Sequence, residues 1–391
     1  MREVVIVSGA RTAIGTMNGS LKDIHQADLG AIVCKEAVSR AGIRSEDVQE
    51  VIVGNVGQVA EGGFLGRMVS LKAGFPLQTT AYAVNRQCGS ALEAIHSGAM
   101  QIMAGYSDVI VACGTENMNQ LPYYVRKGRY GYRYGHDTLE DGLLTILTWP
   151  LGPYHNGVTA ENVAKKFAIS REAQDQWALE SQRRAAQAWA EGLFHEQIIP
   201  VEVRRGRDLV PFWKDEHLRT GLSLEQLAKL KPAFQEGGSV TPGNSSGIND
   251  GAAAVVLMEK EAALRKGIAP ILKLRSFAVA GCDPDMMGYG PVPATKLALK
   301  RAGLTVSDID LFELNEAFAS QTVAGIRELG LDERKVNVNG GAIALGHPVG
   351  ATGAILMVKL MHEMKRRQSH LGAITMCIGG GQGITTIVEQ V

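Results

Sequence analysis

No apolar run in the 391 residues approaches the ~20 needed to span a bilayer, which argues against an integral membrane protein. Cysteine is scarce. The five cysteines, at 34, 88, 113, 282 and 377, are odd in number and have no close pairs. That excludes a disulfide framework and a Cys-x-x-Cys zinc site, and predicts a reducing cytoplasm. An excess of one charge is also missing, with 40 Lys and Arg against 40 Asp and Glu. A chain built to grip nucleic acid through its phosphates is normally basic overall. The opening run Met1–Val7 carries Glu3 and too short an apolar stretch for a secretory signal, and reads as a first strand. The closing Ile387–Val391 carries no retention, peroxisomal or prenylation signal.

What is present is enough apolar residue, 45%, to bury a large core, and 391 residues at roughly 150 per domain predict two or three domains. Val4–Val7, Val51–Val53, Val109–Ala112, Ala252–Met258, Ile271–Phe277, Asp310–Leu314 and Ala373–Cys377 read as buried strands. Helix-period stretches at Leu29–Ala41, Ser90–Ala104, Pro293–Ala302 and Thr352–Lys365 lie between several of them. Such alternation indicates an α/β fold with helices on a mixed sheet. The pattern occurs twice: Arg40-Ala41-Gly42-Ile43 leading to Val51–Val53 resembles Arg301-Ala302-Gly303-Leu304 leading to Phe312–Leu314. Two similar halves packed face to face follow, residues 1–117 with 250–269 and residues 270–391. Residues 118–249 break the pattern and read as an inserted, mainly irregular and helical layer covering a site, with a helix capped by Ser170.

Four loops carry groups suited to chemistry. Cys88 precedes the helix opening at Ser90, where free N–H groups and the helix dipole are expected to lower its pKa and make it a nucleophile. His347 sits in Gly346-His347-Pro348-Val349-Gly350-Ala351-Thr352-Gly353, a constrained loop suited to proton transfer. Cys377 closes a strand before Ile378-Gly379-Gly380-Gly381-Gln382-Gly383, poised over a crevice. Asn315 follows a strand and suits an oxyanion or water-holding role, or a simple helix cap.

Taken together, Asn85-Arg86-Gln87-Cys88-Gly89-Ser90, Asn315-Glu316-Ala317-Phe318, Gly346–Gly353 and Cys377–Gly383 closely resemble the thiolase family, in that family's order. The likeness runs nearly end to end and includes Ser8–Thr12 and Ser246–Ala252. The resemblance implies a thiolase-like fold and an acyltransferase that joins two acetyl-CoA into acetoacetyl-CoA and CoA, or cleaves 3-ketoacyl-CoA. Cys88 would carry the acyl group and His347 would activate it. Cys377 would move the α-proton, and Asn315, through a water, would complete an oxyanion site. CoA is then a substrate held by the inserted region, with His155, Asn156, Arg219, Ser246 and Met287 near it. Neither metal nor redox cofactor is implied. A homodimer or homotetramer is, and the basic–aromatic stretch Val125–Tyr134 would meet either a partner subunit or the CoA phosphates, or be a solvated loop. Related condensing enzymes lack the terminal Cys-x-Gly base, so Cys377 argues against them. A non-catalytic acyl-CoA-binding relative should have lost one of Cys88, His347 and Cys377. Asn156 departs from the family, in which Met is common there, and leaves chain length open between four-carbon and longer substrates.

Overall fold

The computed structural model describes residues 2–391; Met1 lies outside the described residues. Strands β1 (Val4–Arg11), β2 (Glu50–Gly54), β3 (Thr80–Val84), β4 (Val109–Asn117), β5 (Asn249–Glu259), β6 (Leu272–Gly281), β7 (Leu311–Leu314), β8 (Leu371–Ile378) and β9 (Gln382–Gln390) form one mixed sheet. Their order is β3-β2-β4-β5-β1-β6-β9-β8-β7, and the two-residue strand Gly15–Thr16 pairs with β5. The order reads as a motif and its repeat about the β1–β6 seam. In the first half β2 runs parallel to β3 and β4, and β5 lies antiparallel between β4 and β1. In the second, β7 runs parallel to β8, and β9 lies antiparallel between β8 and β6. Val336 bridges Phe312 of β7 in parallel, in the place that β3 holds beside β2. The seam is thin, with only Val5 and Ile6 paired to Lys273 and Leu272.

The duplicated Ala-Gly signals end helices α1 (Gln26–Ala41) and α6 (Pro291–Ala302). Gly42 and Gly303 cap them at φ 67° and 68°, a left-handed conformation that costs glycine little. Helix α2 (Leu65–Lys72) packs on β3 in the first half, and α7 (Ala319–Leu329) in the second packs on α6. Helices α3 (Ser90–Ala104) and α8 (Thr352–Arg367) are each covered by strands of both halves and form the middle of the core.

Two main-sheet strands carry no strong sequence signal. Strand β3 is a half-exposed edge, and β9 puts the pair Thr385-Thr386 in the middle of its apolar residues and so lacks a continuous β-branched aliphatic run. The region between β4 and β5 also holds short strands that the sequence did not signal. It contains α4 (Asn156–Lys166) and α5 (Arg171–Ala190), but also three two-stranded ribbons: 123–124 with 140–141, 148–149 with 154–155, and Val201–Arg205 with Asp208–Phe212. Each ribbon is set by what it packs on, which a two- or five-residue pattern does not encode. The Arg11–Asp215 pair, fully buried and bidentate at 2.9 and 3.1 Å, fastens this region to β1. On the other side Trp177 and Ser181 of α5 donate to Glu316 at 3.0 and 2.6 Å, fastening it to the loop after β7.

Candidate active site

Cys88 stands at the turn between β3 and α3, and its neighbours explain the motif around it. Gln87 has φ 46°, which an L-residue adopts only when held there. Asn85 Oδ1 accepts the Gln87 N–H at 2.9 Å, while Ser90 Oγ donates to the Gln87 carbonyl at 2.6 Å and accepts the Arg86 N–H at 2.9 Å. A Cβ on Gly89 would lie 2.9 Å from Ile378 Cδ1, so a side chain there would push on the residue that follows Cys377. The expected depression of the thiol pKa is not found. Burial pushes Cys88 up to about 11; the Gly379 and Cys88 N–H groups pull it down, and the charge of Glu116 pushes it up. The helix amides do not override burial because the first of them are spent on the turn. Gly89 N donates to the Arg86 carbonyl and Ser90 N to that of Gln87. Two N–H groups converge on the sulfur, one from Cys88 at the helix entrance and one from Gly379 in the turn after β8.

His347 precedes α8 and is 4% exposed. Its backbone N–H donates to Asn249 Oδ1 at 2.9 Å, which fixes the loop against β5. Nδ1 lies 2.6 Å from Thr352 Oγ1, whose proton goes to the Pro348 carbonyl at 2.8 Å. Thr352 therefore accepts, Nδ1 carries the hydrogen, and Nε2 keeps its lone pair. Nε2 is 3.4 Å from Asn315 Nδ2, so Asn315 faces the imidazole and does not cap a helix. Burial lowers the His347 pKa to about 4, leaving a neutral imidazole.

Cys377 is fully buried near the end of β8, opposite Gly383 of β9. It is not open to a crevice as the sequence suggested. It packs with Met287, Ala317 and Phe318, which line the cavity, whereas Cys377 itself does not. Burial raises its pKa, the neighbouring Cys88 raises it further, and the Gln321 side chain pulls it down. Gln321, which sequence reasoning missed, also donates to the Asn315 carbonyl at 3.1 Å and so links the two groups.

A cavity of about 330 Å³ is lined by Cys88, His347, His155, Asn156, Arg219, Ser246 and Met287, all singled out in the sequence, while Asn315 and Cys377 are not among its lining. Phe234 and His217, which had no sequence signal, line it too, as does Phe318, which the sequence named only within its Asn315–Phe318 motif. His155 Nδ1 accepts the Gly157 N–H at 3.0 Å to cap α4, and its ring stacks on Phe234 at 4.8 Å. Burial lowers the pKa of His155, and burial with nearby Arg219 lowers that of His217 to about 4. Asn156 is 8% exposed, and its side-chain amide has no hydrogen-bond partner among the described residues. Arg219 is exposed at the rim. Trp149 crosses the far side of the Cys377 loop. A Cβ on Gly380, which has φ 84°, would come within 2.9 Å of its ring. The stretch Val125–Tyr134 is exposed throughout.

Residues 4–261 match the family model described as thiolase, N-terminal domain, and residues 268–390 the one described as thiolase, C-terminal domain. The chain belongs to the thiolase family. It is 50% identical over 392 residues to the beta-ketothiolase BktB of Cupriavidus necator, all of both chains being covered. It is 49% identical to an acetyl-CoA acetyltransferase of Escherichia coli, again over all of both chains. Among solved structures, human mitochondrial 3-ketoacyl-CoA thiolase in complex with CoA superposes with a TM-score of 0.97 at 43% identity, covering 100% of this chain and 98% of that one. The thiolase fold expected from the motifs is thus the fold observed, and the chain is an enzyme of that family.

Proposed function

We propose that this thiolase joins two acetyl-CoA into acetoacetyl-CoA and CoA, reversibly, through an acetyl group carried on Cys88. The observation that carries the reading is the convergence at one cavity of a cysteine sulfur, two N–H groups aimed at that sulfur, and an imidazole whose Nε2 holds a lone pair. The Cys88 sulfur attacks the acetyl carbonyl carbon, and its proton passes by way of His347 to the departing CoA sulfur. The Cys88 and Gly379 N–H groups receive the negative charge that develops on the thioester oxygen. Cys377 passes its own thiol proton to His347 and, as the thiolate, takes the α-proton of a second acetyl-CoA, with Asn315 beside His347 at the enolate oxygen. The enolate carbon then attacks acetyl-Cys88 and releases the Cys88 sulfur, which takes the proton back from His347. The thioester itself acidifies the α-proton, so the chemistry calls for neither metal nor redox cofactor. His155, Ser246 and Arg219 line the path from the surface and suit the pantetheine and nucleotide of CoA. The names of the relatives support the substrate, and the reading extends to a cytoplasmic homodimer or homotetramer. Incubation with acetyl-CoA alone is expected to place one acetyl group on Cys88. Peptide mass mapping that found Cys377 acetylated and Cys88 free would reverse the two roles.

The unpartnered amide of Asn156 bears on chain length. An amide left dry costs about 1–3 kcal/mol. A four-carbon substrate leaves room for water beside Asn156, whereas a longer apolar chain expels it. Acetoacetyl-CoA is therefore the preferred substrate for thiolysis. Asn156→Met is expected to shift the kcat/KM ratio of six- to four-carbon substrates about tenfold toward the longer, with kcat on the shorter little changed. An unchanged ratio would assign chain length to other residues of the wall.

A further inference from the structure

Strand β4 is buried at all nine positions, yet it carries a carboxylate, Glu116, that makes no ion pair among the described residues. Its Oε1 accepts from Asn55 Nδ2 at 3.1 Å and Gly57 N at 3.0 Å. Its Oε2 accepts from Val56 N and Gly350 N, both at 2.9 Å. All four partners donate, so the loops are built around the ionised form. Burial pushes Glu116 up to about 7 and Asp250 adds to this, while the N–H groups of Val56, Gly57 and Gly350 pull it down.

These partners lead to the two reacting groups by short routes. The Val56 carbonyl accepts from Asn85 Nδ2 at 3.2 Å, and Asn85 Oδ1 holds the strained Gln87 next to Cys88. Gly350 lies in the His347 loop, where a Cβ would come within 2.8 Å of Asn55 Cα. We propose that Glu116 is a positioning residue that clamps the Cys88 turn and the His347 loop together and so fixes the approach of imidazole to sulfur. This rests on the reading of Cys88 and His347 as the reacting pair. Misplacing a reacting group by about 1 Å costs on the order of 100-fold in rate. A glutamine at 116 has one acceptor oxygen, so one of the two pairs of N–H groups would face its amide nitrogen and let go.

The test is the rate at which iodoacetamide alkylates Cys88, read by peptide mass mapping, since this reagent needs no CoA site. Glu116→Gln is expected to slow alkylation ~10- to 100-fold, with cooperative thermal unfolding retained. In turnover kcat should fall by a similar factor, with the KM for acetyl-CoA within about twofold, because the cavity wall is untouched. His347→Ala should also slow alkylation, and adding Glu116→Gln to it should slow it no further. A wild-type alkylation rate in Glu116→Gln, or losses that multiply in the double variant, would overturn the clamp. If Glu116→Gln does not fold, Glu116→Asp serves: it keeps the charge but is one methylene too short to reach both loops. Slow alkylation there supports the clamp and a wild-type rate overturns it. Absent acetyl-CoA turnover in a wild-type protein whose alkylation still depends on Glu116 would count against the acetyl-transfer reading and leave the clamp standing.

Discussion

Cys377→Ser is expected to form acetyl-Cys88 from acetyl-CoA at near the wild-type rate, yet to lose condensation by about 10³-fold. Cys88→Ser is expected to fail already at acylation. The prediction follows from where the two sulfurs sit. Cys88 lines the cavity with two N–H groups beside it, whereas Cys377 is fully buried beside Cys88, packed with Met287, Ala317 and Phe318. Only the first can meet a carbonyl carbon without rearrangement. The second can reach a proton on a substrate carbon already seated in the cavity, which a serine hydroxyl, a much weaker base as its anion is rarely formed, would do poorly. General base catalysis contributes ~10²–10⁴-fold, which sets the expected loss. Rapid-quench acylation followed by mass mapping separates the steps. Equal loss of acylation in both variants would mean that Cys377 is structural or acts earlier than proposed.

The larger architecture was legible because it is written in long, redundant signals. Buried β-branched runs, left-handed glycine caps at Gly42 and Gly303, and a repeated order of elements all agree on two α/β halves. The site residues were legible as loops, because a cysteine or histidine beside several glycines shows where the backbone must come close to something. Their environment was not. The turn at Arg86–Ser90 consumes the amides that a helix entrance would otherwise offer, so burial decides the Cys88 pKa against the sequence expectation. Cys377 appeared open because its strand ends in glycines. Phe318, from the loop after β7, comes in over it through a tertiary contact with no local pattern. Glu116 left a fainter trace, a single acid in an apolar strand. Its four partners come from residues 55, 56, 57 and 350, and no local window joins those segments.

The remaining large effect concerns His347 and pH. Its pKa is lowered to about 4 and that of Cys88 raised to about 11, so the free site holds an imidazole and a thiol, both neutral. Burial opposes both ions of a thiolate–imidazolium pair. The proton therefore moves during attack, when the N–H groups of Cys88 and Gly379 can also stabilise the oxyanion. The pH dependence follows. A histidine with an ordinary pKa would lose its basic form below about 6.5, whereas this one keeps it until pH approaches 4. The His347 contribution to the acylation rate should thus stay level from about pH 8 down past 6.5 and fall only toward 4, while protonation of Glu116, pushed up to about 7, adds a separate decline that Glu116→Gln abolishes. For stability the sign is the same: the unfolded histidine takes up a proton between its ordinary pKa and 4 while the folded one does not, so acid in that window favours unfolding. In His347→Ala the base is gone, and the residual rate should track the thiolate fraction, rising about tenfold per pH unit until the pH nears that of the thiol. At neutral pH the loss is expected to be about 10³-fold, within the range for removal of a general base. An acid limb centred near 6.5 that persists in Glu116→Gln would show that His347 titrates in the free enzyme as a solvated residue. A level profile in His347→Ala would mean that another group takes the Cys88 proton.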